Sequence, residues 1–122
     1  MSYQHIFDSH AHYDDEAFDA DRETLLTELP QKGICHVIDC GADFAGCEKA
    51  VALARAYPYI QAAVGMHPEE IGADPQAWLP KLEALLQRKA ENKIVAVGEI
   101  GLDYHFAENP PHEVQKAAFT AQ

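Results

Sequence analysis

Cysteine is scarce in this chain of 122 residues: there are three thiols, Cys35, Cys40 and Cys47, with no Cys-x-x-Cys spacing. An odd, unpatterned set of this kind argues against a disulfide framework and against a thiolate metal site, so the three read as ordinary buried thiols. Long apolar runs are also missing. The longest, such as Ile94–Val97, fall far short of the roughly 20 residues that a helix needs to cross a bilayer. The opening Met1-Ser2-Tyr3-Gln4-His5 has no basic stretch followed by an apolar one, so no secretory signal is expected and the cytoplasm is the default compartment. Positive charge is the last shortage. Nine Lys and Arg stand against 20 Asp and Glu, a formal charge of -11. Long-range repulsion then disfavours an extended phosphate-binding surface, so any contact with nucleic acid must be local or metal-mediated.

What remains is the composition of a globular domain, 48% hydrophobic and 24% charged, at a length that allows one domain. Apolar runs at residues 6–10, 33–40, 59–64 and 94–97 read as strands. Between them lie segments with helical periodicity. Leu25, Leu26 and Leu29 mark a helix over 18–29 that Pro30 closes. Asp43 is placed to cap a helix running to about Ala56, which Tyr57-Pro58 stops. Asp74-Pro75 opens a short turn, and Leu82, Leu85 and Leu86 give a helix over about 80–89 its apolar stripe. A last helical segment covers 112–122. Apolar strands alternating with amphipathic helices predict an α/β fold with a parallel sheet. Four βα units are half of a TIM (β/α)8 barrel, whose usual length is about 250 residues. Residues 1–122 are therefore expected to be the N-terminal half of one barrel, truncated after its fourth unit.

Polar residues gather where the strands end, which is where α/β proteins place their sites. His10 and His12 are two apart at the end of the first strand, so extended geometry points both imidazoles to one side, where they can grip one metal ion. They can equally be a pair of surface histidines in a loop. Asp8 shares their alternation and could join or orient them. The third strand ends in Gly65-Met66-His67-Pro68, where Pro68 holds His67 extended. The fourth runs into Gly98-Glu99-Ile100-Gly101, placing a carboxylate after an apolar run, where it is costly unless paired or bound to a cation. One parallel sheet brings these ends to a common face. Two imidazoles and a carboxylate suit Zn, Mn or Mg, and the absence of cysteine donors speaks for a catalytic rather than a structural centre. The nine basic residues, Arg22 and Lys49 among them, fall in helices or at strand beginnings, and none is expected at this face.

The stretches Phe7-Asp8-Ser9-His10-Ala11-His12-Tyr13-Asp14, Gly65-Met66-His67-Pro68 and Gly98-Glu99-Ile100-Gly101-Leu102-Asp103-Tyr104 together resemble the TatD family of metal-dependent deoxyribonucleases. Pro111, Gln115, Phe119 and Gln122 continue the likeness. The histidine pair alone is shared with the broader amidohydrolase-like metal hydrolases, whereas the Gly-Glu-Ile-Gly-Leu-Asp-Tyr run is specific to this family. The resemblance implies a TIM barrel with one or two divalent metal ions (Mg, Mn or Zn) that hydrolyses phosphodiester bonds, often as a 3′ to 5′ exonuclease. It implies that His10 and His12 bind the first metal, that Glu99 binds or bridges the metals, and that His67 lines the pocket, with Glu99 and His67 in the catalytic roles. Family members add two histidines and an aspartate from later strands, which this chain does not reach, so residues 1–122 alone are expected to be inactive. DNA is the expected substrate of the intact protein, with no membrane partner and with self-association through open sheet edges. Two other functions remain open: a metal hydrolase of a small ester, lactone or amide, and a non-catalytic metal-binding or interaction fragment.

Overall fold

The computed structural model describes residues 4–122; Met1, Ser2 and Tyr3, which open the stretch expected to carry no signal, lie outside them. Four parallel strands, β1 (Ile6–Ala11), β2 (Ile34–Cys40), β3 (Ile60–Val64) and β4 (Ile94–Val97), form one sheet in the order β1-β2-β3-β4. The helices α1 (Arg22–Glu28), α2 (Phe44–Ala56), α3 (Leu79–Gln87) and α4 (His112–Ala121) follow them in turn. The predicted α/β class and the four βα units are therefore present. β2 and β3 pair without a break, Val37 beside Ile60 and Cys40 beside Ala63, whereas β1 and β4 meet their neighbours with register shifts, between Ile6 and Phe7 and between Asp8 and Ala11 on β1 and opposite Ala62 and Ala63 on β4.

The helix expected over 18–29 is instead three pieces. A 3₁₀ turn at Glu16–Phe18 starts where the Asp15 side chain accepts the Ala17 N–H at 2.8 Å, and α1 begins only at Arg22. Pro30 closes α1 as expected, the helix ending at Glu28 with Leu29 as its cap. It sits at the start of a second 3₁₀ turn, Leu29–Lys32, where its missing N–H has no helical partner to lose. Pro80 likewise falls in the first turn of α3, so that helix starts at Leu79 and ends at Gln87. Asp43 caps α2 as expected, accepting the Gly46 N–H at 2.6 Å.

One face of the sheet carries the core. Ile60, Ala62 and Val64 of β3 are buried, together with Cys47, Ala50 and Ala54 of α2, Leu26 of α1 and Leu82 of α3. Lys93 ties the start of β4 to the end of α2: its ammonium donates to the carbonyls of Ala54 at 2.6 Å and Tyr57 at 2.9 Å. A cation there meets the negative end of the helix dipole. The opposite face is only partly covered, with Cys40 and Ala63 buried on it. Phe7 on β1 and Val95 and Val97 on β4 are exposed. β4 is apolar throughout, as predicted, yet only its first residue, Ile94, is buried. Both β1 and β4 are edges of the sheet. Cys40 and Cys47 are buried as expected, whereas Cys35, at the entry to β2, is half-buried. Among the described residues no helix is long and apolar enough to cross a membrane.

Candidate metal centre

His10 lies in β1 and His12 just beyond it, and their alternation turns both rings to the same side. The two Nε2 atoms are 3.0 Å apart, and each is 3.5 Å from Oε2 of Glu99. Bonds of about 2.0–2.1 Å to one ion separate neighbouring donors by about 3.0 Å at a right angle and about 3.4 Å at the tetrahedral angle. The spacing of the three donors fits a single divalent cation. The second oxygen of Glu99 faces His67, with Oε1 3.8 Å from Nε2. The carboxylate of Glu99 thus stands between the histidine pair and the third imidazole. It is not buried, as its position after an apolar strand suggested: its side chain is 32% exposed, because it rises at the open mouth of the sheet. Asp8 does not join the cluster; it turns back along β1 and accepts the His10 N–H at 3.3 Å.

The backbone of the β2–α2 turn sets the height of two of these residues. The Gly41 carbonyl accepts the Glu99 N–H at 3.1 Å, and the Ala42 carbonyl accepts the His67 N–H at 2.7 Å. β3 and β4 come so close here that a Cβ on Gly65 would lie 2.7 Å from Ile100 Cγ2 and 2.9 Å from the Gly98 carbonyl carbon. Glycine is therefore required at the turn that carries His67. Two amides, one within α4 and one at its C-terminal cap, finish the support. Gln122 accepts the Met66 N–H at 2.8 Å, and the buried Gln115 both accepts from and donates to the backbone of Asp103. These two glutamines, part of the family pattern in the sequence, clamp the loops on either side of the site.

Residues 7–122 match the family described as TatD related DNase. The chain belongs to the TatD family. It is 32% identical over 120 residues to YabD of Bacillus subtilis, named an uncharacterized metal-dependent hydrolase, covering 96% of this chain and 44% of that protein. It is 30% identical over 118 residues to the 3'-5' ssDNA/RNA exonuclease TatD of Escherichia fergusonii, again covering 96% and 44%. The crystal structure of YjjV, a TatD homologue from Escherichia coli, superposes with a TM-score of 0.83 at 33% identity over 95% of this chain and 44% of that one. The chain thus spans less than half the length of the TatD relatives it matches.

Four further residues lie at this face, of which only Asp14 stands in a stretch that resembles the TatD motifs. Lys49, in the second turn of α2, lines a cavity of about 300 Å³ together with His12, Asp14 and Asp43, and its ammonium is 3.4 Å from the Asp14 carbonyl. Arg22 donates to the carbonyls of Tyr13 at 2.5 Å and Asp15 at 2.6 Å and to the Asp19 carboxylate at 2.7 Å. The expectation that no basic residue reaches this face is therefore wrong. A helix that follows a strand begins at the strand's C-terminal end, so the first turn of α1 and the second turn of α2 carry Arg22 and Lys49 to the site. The other two are acids. Asp39 of β2 is 0% exposed and Asp14 8%. Burial, and then the neighbouring Asp14, pushes the Asp39 carboxyl up to about 7. Burial also raises Asp14, against the lowering influence of His12. The one available signal was an aspartate inside the apolar strand Ile34–Cys40.

Proposed function

We propose that residues 1–122 are the N-terminal half of a single metal-dependent hydrolase barrel, and that the intact protein cleaves phosphodiester bonds of DNA as a 3′ to 5′ exonuclease. The observation that carries this reading is the set of three donors, His10 Nε2, His12 Nε2 and a Glu99 oxygen, at mutual distances of 3.0, 3.5 and 3.5 Å. A divalent ion held there supplies positive charge against a developing oxyanion and lowers the pKa of water. His10 and His12 contribute neutral lone pairs. Glu99 contributes one oxygen, keeping the other toward His67, and His67 lines the pocket with a ring nitrogen free to hold or give a proton at the reacting group. The nuclease half of the reading draws on relatives named as exonucleases and on the cations Lys49 and Arg22 at this face.

A second reading is favoured by one observation. The cavity beside His12 is lined by Asp14, Asp15, Glu16, Asp43 and Glu70 against the single cation Lys49, a wall that repels phosphate and tolerates a neutral ester, lactone or amide. Two measurements decide. Calorimetric titration of Mn or Zn into dialysed protein should give one site that His10→Ala weakens at least tenfold; equal binding by the variant removes the centre. Protein carrying the complementary barrel half should then shorten single-stranded DNA labelled at its 5′ end from the opposite terminus. Turnover of a lactone or ester with untouched DNA selects the second reading. Metal binding with neither activity leaves a non-catalytic fragment.

A further inference from the structure

The metal reading uses His10, His12, Glu99 and His67, and leaves unexplained why the fold keeps two acids, Asp14 and Asp39, buried next to one another. Burying a carboxyl without partners costs free energy that a fold retains only where the group has work to do. Asp14 Oδ1 and Asp39 Oδ2 are both buried without a hydrogen-bond partner among the described residues. Their placement is specific. Asp39 stands level with Ala11 at the end of β1, and its Oδ1 accepts the Tyr13 N–H at 2.6 Å. Tyr13 lies between His12 and Asp14, so this bond fixes the backbone that carries both. Asp14 Oδ1 in turn faces His12 Nδ1 at 3.9 Å. The far nitrogen of the same ring, Nε2, is the one directed to His10 and Glu99.

We propose that Asp14 and Asp39 are positioning residues for His12: Asp14 takes the Nδ1–H and so leaves the Nε2 lone pair free for the metal, and Asp39 anchors the Tyr13–Asp14 backbone that brings Asp14 to the ring. This rests on the metal reading of His12. A ligating histidine needs its other ring nitrogen tied down, because the free imidazole prefers the tautomer with its proton on Nε2, which cannot donate to a metal. Lys49 and Arg22, the cations packed against this loop, meet the carbonyls of Asp14, Tyr13 and Asp15, which leaves the buried Asp14 Oδ1 to the imidazole. Gly46 completes the packing: a Cβ there would come within 2.9 Å of Asp14 Oδ2, pushing the carboxylate off its line to His12.

The test reads the tautomer as well as the metal. In dialysed protein labelled with ¹⁵N in its histidines, the His12 ring should show a protonated Nδ1 and a bare Nε2. Asp14→Ala should move the proton to Nε2 and weaken Mn or Zn binding about tenfold or more, the usual cost of losing a partner behind a metal ligand. Asp14→Asn and Asp39→Asn, which keep an oxygen for the ring and for the Tyr13 N–H, should hold the tautomer and keep affinity within about threefold. Asp14→Leu, an apolar shape mimic suited to a dry site, reads the same two quantities should the alanine variant fail to fold. An unchanged tautomer in Asp14→Ala or Asp14→Leu overturns the proposal, as does equal loss in Asp14→Asn. If wild-type protein binds metal no better than His10→Ala, the metal reading fails, and the tautomer shift still decides whether Asp14 orients His12.

Discussion

The Nε2 atoms of His10 and His12 stand 3.0 Å apart, and both are 3.5 Å from the same oxygen of Glu99. Two of three donors in such a set must be neutral to bind, so protons compete with the ion for the same ring nitrogens. Retention of Mn in equilibrium dialysis is therefore expected to fall as the solution is taken from about pH 8 to about pH 5. A flat profile across that range would mean that carboxylates alone hold the ion.

Asp39 gives stability its own pH dependence. Its carboxyl stays protonated in the folded chain up to about 7, whereas an unfolded aspartate loses its proton near 3.9. Between those values folding takes up a proton, so stability is greatest at the acid end, falls as the pH rises from about 4 to about 7, and levels off above. Asp14, raised in the same direction, adds to the slope. Asp39→Asn should flatten that slope and raise Tm at pH 8. Urea unfolding at pH 5 and pH 8 measures it; an identical slope in the variant would show that the buried acid does not titrate with folding.

Gly65→Ala should weaken the site without touching a donor. The added methyl meets Ile100 Cγ2 at 2.7 Å and backbone atoms of Gly98 and Glu99 at 2.9 and 3.0 Å, and backbone cannot swing aside as a flexible side-chain tip can. A loss of about 1–3 kcal/mol of stability is expected, accompanied by weaker metal binding because the displaced strand end carries Glu99. Unfolding and metal titration of the same variant check both, and an unperturbed variant would show that the two strand ends separate easily.

Residues 1–122 studied alone should associate and should lack nuclease activity. β1 and β4 both present unpaired edges, and Phe7, Val95 and Val97 are exposed. Such edges and surfaces are relieved by pairing with another chain. Sedimentation should show dimers or larger species, and no DNA should be degraded with Mg or Mn. A sharp monomer with cooperative unfolding that degrades DNA, in a way abolished by chelator and by Glu99→Ala, would refute this.

Strand positions were legible because a run such as Ile94–Val97 has little other use, and the His10, His12 and Glu99 cluster was legible because a period of two and a common sheet end fix where those side chains go. Features that depend on which end of a helix meets the site were not. Lys49 reads as an outer-face cation until α2 is seen to begin at the strand's C-terminal edge. Asp14 and Asp39 are 25 positions apart, and no local pattern announces that two such acids touch. α1 was overextended because leucine spacing marks a helical face without marking where 3₁₀ geometry takes over. The exposure of Val95 and Val97 follows from what lies opposite them, which composition does not record.

Gly41 and Ala42 contribute no side-chain chemistry, yet their adjacent carbonyls hold the N–H groups of Glu99 and His67. The turn works as a spacer between two neighbouring loops. An inserted or deleted residue there would slide one loop against the other by about 3.3 Å, the rise of one strand residue, more than a metal bond is long. Chain length at positions 41 and 42 is thus under tighter constraint than side-chain identity at many positions lining the cavity. A scan of point substitutions would report the crowding of Gly41 against Cys47 and not the limit on chain length.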